Sequence, residues 1–324
     1  MELLRRLYEI HSPSGAEDEL TEFIMEWVGE HVPEASVELD EENLNLYITK
    51  GQSDTYPCLV AHTDQVQAEY PDDYKVFKVG DHLLTGYSTE HKRFCGLGAD
   101  DKNGIWVALR CLELEPVLKV ALFSAEEVGC QGSSQARMEF FDDCRFVLQA
   151  DRRGASDFIT CIGYIQLCTA EFAQAAGIEQ YGYHEECGMM TDVLTLADMG
   201  LKVSCANMSC GYYEPHTDRE YTVIPDLMNC LDLVLHIIHT CTEVYPSPMQ
   251  DAYGMIGFES TDSMEDTIRH YLWIYPSLTL DDVVEYLECD GFQIGLKTYK
   301  KVEKLYNKII NEKKGSKNNW TFLF

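Results

Sequence analysis

The chain has 324 residues, 45% of them hydrophobic and 11% aromatic, enough for one substantial core plus an appendage or a second domain. A formal net charge of −30 argues against general binding to nucleic acid or to an anionic membrane surface. No run of 18 apolar residues occurs, which excludes a helical membrane span, and the charged opening stretch does not read as a signal peptide.

Thirteen cysteines are scattered without a CxxC pair or metal-finger spacing. An odd, dispersed set of this kind is what a reducing compartment permits, so cytoplasmic residence is expected.

Along the chain, Glu2–Ile10 has a helical period that breaks at Ser12-Pro13-Ser14-Gly15. Glu17–Val32 resumes it, with Leu20, Phe23, Ile24 and Trp27 on one face. Val37–Tyr47 and Pro57–Ala61 read as strands, and the second runs into His62-Thr63-Asp64. A ligating histidine usually gives its other N–H to a carboxylate or carbonyl, so an Asp at that spacing has a function to perform. Residues 69–93 are polar and irregular, a long loop or hairpin excursion with His82 and His91 exposed. Gly96-Leu97-Gly98-Ala99-Asp100-Asp101-Lys102 then precedes an apolar helical pattern through Ile105, Val107, Ala108 and Cys111. It fits neither GxxxxGK[ST] nor a clean GxGxxG, so phosphate binding is not indicated.

The run Val120–Phe123 stops at Glu126, Glu127 and Gly129, as expected of a buried strand in a parallel sheet. In open α/β sheets the reactive groups sit just past such strand ends. Neighbouring residues there point in different directions, so one glutamate can hold a metal while the other moves a proton. Cys144–Ala150 is a further strand ending at Asp151-Arg152-Arg153, and Leu201–Met208 leads through Cys210 to His216. Pro225 opens a helix striped with Leu227, Leu231, Val234, Leu235 and Ile238; His236 and His239 read as packing or surface residues there. Tyr245-Pro246-Ser247-Pro248 is the expected domain boundary. Beyond it, Ser263–Tyr275, Leu280–Glu288 and Lys297–Glu312 read as helices, and Lys297–Phe324 carries eight Lys against two Glu.

His62, Asp100, Glu127, Asp151 and His216 thus lie at strand ends or in the loops that follow. Two imidazoles and three carboxylates, one of them bridging, suit a pair of divalent ions, zinc with cobalt or manganese as substitutes. Glu126 is left to carry a proton.

The ordered set His-x-Asp, Gly-x-Gly-x-Asp-Asp-Lys, Glu-Glu-x-Gly, Asp and a late His resembles the co-catalytic zinc exopeptidases, which include peptidase T, carboxypeptidase G and the bacterial leucyl aminopeptidases. His11–Asp18 also resembles the N-terminus of that group, and Thr191-Asp192 stands where peptidase T has Ser-Asp. The resemblance implies that His62, Glu127, Asp151 and His216 are terminal ligands of two metal ions and that Asp100 bridges them. It further implies that Glu126 is the general base, that Asp64 orients His62, and that the Asp100–Asp101 peptide bond is cis. Asp192 and Arg152 are carried as candidate substrate-binding residues, Arg152 with Arg153 for a substrate carboxylate. The similarity spans residues 1–245. Only 64 residues separate Asp151 from His216, too few for the inserted lid domain of peptidase T, so a lid-less layout is expected.

The expectation is an α/β fold with a mostly parallel central sheet between helices in residues 1–245, and a small helical domain in 246–324. The function expected is metal-dependent exopeptidase action on short peptides, foremost as an aminopeptidase. An N-acyl amino acid deacylase or carboxypeptidase is the alternative within the enzymes, and an inactive binding module the alternative outside them. The oligomeric state is left open.

Overall fold

A computed structural model describes residues 1–163, 165–248, 268, 272, 279, 280, 283, 284, 287 and 296–315. The chain divides into two compact units, Met1–Met255 and Ile256–Phe324.

The first unit starts with helices α1 (Glu2–Glu9) and α2 (Asp18–His31). Next come a hairpin of β1 (Ser36–Asp40) and β2 (Asn45–Lys50), then strand β3 (Tyr56–His62). Three strands, β4 (Tyr74–Val79), β5 (Leu83–Ser88) and β6 (Arg93–Cys95), precede helix α3 (Ala99–Leu114) and strand β7 (Leu118–Phe123). The chain continues through β8 (Cys144–Arg152), β9 (Asp157–Ile162), β10 (Ile165–Gln166), helix α4 (Ala170–Ala176), β11 (His184–Gly188) and helix α5 (Asp192–Asp198). It closes with β12 (Cys205–Ser209), β13 (Tyr212–Tyr213), β14 (Tyr221–Val223) and helix α6 (Ile224–Thr240).

One nine-stranded sheet has the order β1-β2-β7-β3-β8-β12-β9-β10, with β11 paired to β9. Its centre is parallel: β3 lies between β7 and β8, and β12 follows β8. The flanking β1, β2, β9 and β10 run antiparallel to their neighbours along this order, and β11 runs parallel to β9. Every residue of β3 and of β7 is buried, as a parallel strand covered on both faces requires.

Alternation decides which cover each residue meets. Leu59, Ala61, Val120, Leu122 and Leu148 join a core with Leu4 and Leu7 of α1, Leu20 and Ile24 of α2, Leu109 of α3 and Leu233 of α6. Cys58, Val60, Ala121, Phe123 and Val147 face the other way, towards Val193, Leu196 and Ala197 of α5. Cutting such a side chain back to Ala costs about 2–5 kcal/mol.

A second, antiparallel sheet has the order β13-β14-β5-β4, with β6 on β5. Of the two expected forms, loop or hairpin excursion, the segment takes the second, as the β4–β5 hairpin leading into β6, with His82 and His91 exposed. Val76 is the one buried residue of β4, so the segment lacks a legible alternation. Two differences follow from pairing. Val37–Tyr47, expected as one strand, turns back on itself as the β1–β2 hairpin, with Asp40 facing Asn45. Between Asp151 and His216 the chain adds β9, β10 and β11 at the sheet's edge, and a disulfide joins Cys161 of β9 to Cys187 of β11.

The Pro-punctuated stretch at 245–248 is fastened to the first unit. Ser204 N donates to Tyr245 O at 2.7 Å, Ser247 N to Lys202 O at 2.9 Å, and Tyr245 N to Arg145 O at 3.0 Å. The units divide later, between Met255 and Ile256.

The second unit has a small core of Ile268, Leu272, Val283, Leu287, Val302 and Ile309, with a helix over Leu296–Gly315. Val283 N donates to Thr279 O at 3.1 Å, as at a helix start. Trp273, Ile274, Tyr275, Gly291 and Gly295 lie outside the described residues.

Candidate metal centre

The parallel strands deliver most of the candidate ligands to one edge. His62 is the last residue of β3, level with Phe123 at the end of β7, so the Glu126-Glu127 pair follows three residues on. Asp151 lies near the end of β8. Asp100 and Asp101 open α3 in non-helical geometry, after Gly98 at φ +61°, and the peptide bond between them is cis. His216 comes from elsewhere, the loop between β13 and β14, where Tyr212 faces Thr222 and Tyr213 faces Tyr221.

Asp100 is the meeting point. Its Oδ1 lies 3.2 Å from His62 Nε2, and its Oδ2 lies 3.2 Å from His216 Nε2. Asp151 Oδ1 stands 3.7 Å from His62 Nε2, and Glu127 Oε2 stands 3.1 Å from His216 Nε2. Each imidazole therefore meets the shared carboxylate and one of its own.

The other nitrogen of His62 faces Asp64, at 3.1 Å from its carbonyl and 3.2 Å from Oδ1. Asp64 has further work. Its Oδ1 accepts Glu126 N–H at 2.8 Å, and its Oδ2 accepts Glu127 N–H at 3.1 Å and Ser14 Oγ–H at 2.6 Å. One buried side chain thus orients the imidazole and pins the backbone of both glutamates. Ser14 belongs to the His11–Asp18 stretch, which is held beside this loop by Gln65 N donating to Ser12 O at 2.9 Å.

Glu126 makes no contact with either histidine among the described contacts; Cys130 Sγ lies 3.5 Å from its Oε1. Burial raises its carboxyl to about 8, and the charges of Asp192, Glu127 and Asp100 push the same way against His62. Burial raises Asp151 well above the ordinary carboxylate range, assisted by Asp100 and Asp101. Burial opposes ionisation of Asp100 too, but hydrogen bonds from His216 and His62 hold it well below that range. His216 is raised to about 10 by Asp100 and then Glu127, and His62 is raised well above its ordinary value by Asp100 and Asp151 in spite of burial.

So many carboxylates in one buried place call for positive charge. His62, Asp100 and Glu127 can each offer an atom within 4.8 Å of the others, as can His62, Asp101 and Asp151. Glu127 Oε1 is buried without a hydrogen-bond partner. Imidazole nitrogens with carboxylate oxygens, one of them orphaned, fit divalent ions of the zinc type.

The candidate substrate residues are placed differently. Asp192 is fully buried at the start of α5, where Gln149 Nε2 donates to its Oδ2 at 3.0 Å. Arg152 is half-buried, its Nε donating to Asp157 Oδ2 at 3.1 Å, while Arg153 is exposed.

Two supporting residues are absent from the sequence reading. Gln149 Nε2 reaches Asp151 Oδ2 at 3.2 Å as well as Asp192, and Asn207 brackets the Asp151 backbone, accepting its N–H at 2.9 Å and donating to its C=O at 2.8 Å. A polar residue inside an otherwise apolar strand is the signal that marks them: Gln149 in FVLQA and Asn207 in CANM.

No protein-family profile and no curated protein matches the sequence. Solved structures do match. Aminopeptidase PepT from Bacillus cereus superposes with a TM-score of 0.60 at 14% identity, over 74% of this chain and 97% of that one. A tripeptidase from Staphylococcus aureus gives 0.59 at 15%, over 74% and 97%. An aminopeptidase from the archaeon Desulfurococcus kamchatkensis gives 0.56 at 17%, over 73% and 93%. The chain therefore has the α/β fold of these aminopeptidases and this tripeptidase.

Proposed function

We propose that the chain is a di-metal exopeptidase, an aminopeptidase acting on short peptides. The observation that carries this reading is Asp100, whose two carboxylate oxygens each face a different imidazole at 3.2 Å. That is the arrangement a bridging carboxylate needs. His62 with Asp151 and His216 with Glu127 are assigned as the terminal ligands of two ions, zinc first and cobalt or manganese as substitutes.

Two such ions supply Lewis acidity to the scissile carbonyl and lower the pKa of a water. Glu126 is the general base: it takes the water's proton and delivers it to the departing amine. With protein groups alone around it, the Glu126 carboxyl is raised to about 8, and added positive charge ionises it. Asp64 sets the imidazole of His62 and the amides of Glu126 and Glu127. The charge of buried Asp192 helps to hold the Glu126 carboxyl up.

The carboxypeptidase or N-acyl amino acid deacylase reading is favoured by one observation: Asp157 fixes the Arg152 Nε one residue beyond Asp151. A guanidinium anchored in that way has its terminal nitrogens free to meet a substrate carboxylate. The two readings separate in an assay of the metal-loaded protein on free-amine, N-acylated and C-amidated peptides. Turnover that needs the free amine and tolerates the amide supports the aminopeptidase; turnover that needs the free carboxylate overturns it. No turnover on any of the three, with metal bound, supports the inactive binding module.

The ten free cysteines described, all buried, fit residence in a reducing compartment, the cytoplasm, whereas the Cys161–Cys187 disulfide points the other way. Thiol titration of native protein taken from cells tests this through the Cys161–Cys187 pair.

A further inference from the structure

Glu220 is fully buried and stands one residue before β14. None of its described hydrogen bonds comes from a side-chain cation. Its Oε2 accepts the backbone N–H of Leu97 at 2.8 Å and of Gly98 at 2.7 Å, with Gln67 Nε2 at 3.3 Å. Its Oε1 accepts the backbone N–H of Asp100 at 3.2 Å. Successive amides converge in this way because Gly98 sits at φ +61°, which turns the loop into a concave nest at the start of α3. Such a nest ordinarily receives an anion from outside; here the chain supplies its own.

The two segments joined by Glu220 are two of those that meet at the metal centre. One carries Asp100. The other is the β13–β14 loop, on which His216 lies four residues before Glu220. The contact of Asp100 Oδ2 with His216 Nε2 at 3.2 Å spans the same gap as the hydrogen bonds of Glu220. Besides Glu220, the loop around His216 is held by the contact with Glu127 at 3.1 Å, by an exposed Arg93–Asp218 pair at 3.3 Å and by the pairing of β14 with β5. The His216 imidazole is 53% exposed, and the flanking strands β13 and β14 have two and three residues.

We propose that Glu220 is a positioning residue of the di-metal centre, clamping the Leu97–Asp100 backbone to the His216 loop so that Asp100 and His216 reach one ion together. The inference rests on the di-metal reading above. Glu220→Gln keeps the shape but turns an amide NH₂ towards backbone donors, and Glu220→Asp keeps the charge but shortens the reach. Metal titration of the chelator-stripped full chain with Co²⁺, followed by visible absorption, counts the ions and gives each affinity. Melting of the stripped protein reads the fold separately.

Both variants should bind one ion as the unaltered chain does and the second about 10–100-fold more weakly, the usual effect of losing a partner behind the ligands. Tyr8→Phe is the control. It removes a hydroxyl that contacts Asn103 Oδ1 and Thr222 Oγ1 in the same buried layer, and it should lower the melting temperature without moving either affinity. Two ions bound by both Glu220 variants as tightly as by the unaltered chain would overturn the inference alone, as would an equal loss of affinity in Tyr8→Phe. An unaltered chain that takes up no divalent ion overturns the di-metal reading itself. Should one Glu220 variant fail to fold, the other decides.

Discussion

The two candidate histidines stand in contrasting regions. His62 ends a strand with parallel neighbours on both sides, its imidazole is 1% exposed, and both ring nitrogens face acceptors. His216 rides a hairpin loop of the smaller antiparallel sheet at φ +62°, its imidazole 53% exposed. Strand register and burial fix the first. The second is fixed by what it touches, Asp100 and Glu127, and by the hairpin's seat on β5. A site made of one rigid half and one delivered half has most of its stability in the first and its assembly in the second.

The largest effect is expected at the rigid half. Glu126→Gln should lower turnover by roughly 10²–10⁴-fold while both ions remain, since general acid–base work contributes on that scale. Elemental analysis with kinetics checks it. If an ion leaves with this variant while Glu127→Gln keeps two, the roles of the glutamates are exchanged.

The contrast is tested directly by removing each imidazole. His62→Ala removes one partner from a buried cluster and should destabilise the metal-stripped protein by about 3–5 kcal/mol and prevent uptake of both ions. His216→Ala removes a half-exposed group, so its cost to the stripped protein should stay under about 1 kcal/mol, with one ion lost. Denaturant midpoints read beside metal counts decide. Equal losses of stability would erase the distinction between the halves.

Protonation sharpens it further. His216 has a folded-state value of about 10, above the unfolded value of about 6.5. Its charged contacts thus add stability below about pH 6.5 that is lost as pH rises through about 10. His62 is raised by Asp100 and Asp151 against burial, and burial raises Glu126 to about 8 and Asp192 to about 6, all with the same sign; Lys102, lowered to about 7 by burial, acts against them above pH 7. The stripped protein should therefore melt lower at pH 9 than at pH 6, and metal uptake at pH 7 should release protons. A melting temperature that climbs across that range contradicts the assignment. Calorimetry in buffers of different ionisation enthalpy counts the protons.

The smallest effect is expected from truncation after Met249. All candidate ligands and the base lie in Met1–Met255, and the second unit has its own core, so two ions and the fold should remain. Unchanged kinetics would mark residues 250–324 as an accessory domain, and altered selectivity would mark them as a contributor to substrate choice. Loss of both ions from a folded truncation would show that the boundary is misplaced.

The sequence by itself determined the central strands, α2 and α6, and placed the candidate ligands at the strand ends. A parallel strand covered on both faces must be continuously apolar, so Val120–Phe123 and Pro57–Ala61 announce themselves, and polar residues directly after them have few roles other than chemistry. Tertiary structure alone decided the second sheet, the β9–β11 edge and the Cys161–Cys187 pair. Several of these strands are short or largely exposed, as β4, β10 and β11 are, and several pair with residues far away in the chain, Thr222 with Leu84 for example, so little local period records them. The same reason hid the roles of the supporting residues. Gln149 and Asn207 stand out as polar residues in apolar strands and Glu220 not at all, and only the backbone groups and carboxylates gathered around them give each its task. A strand's burial is written in its own composition, whereas a buried polar group's role is written in its partners.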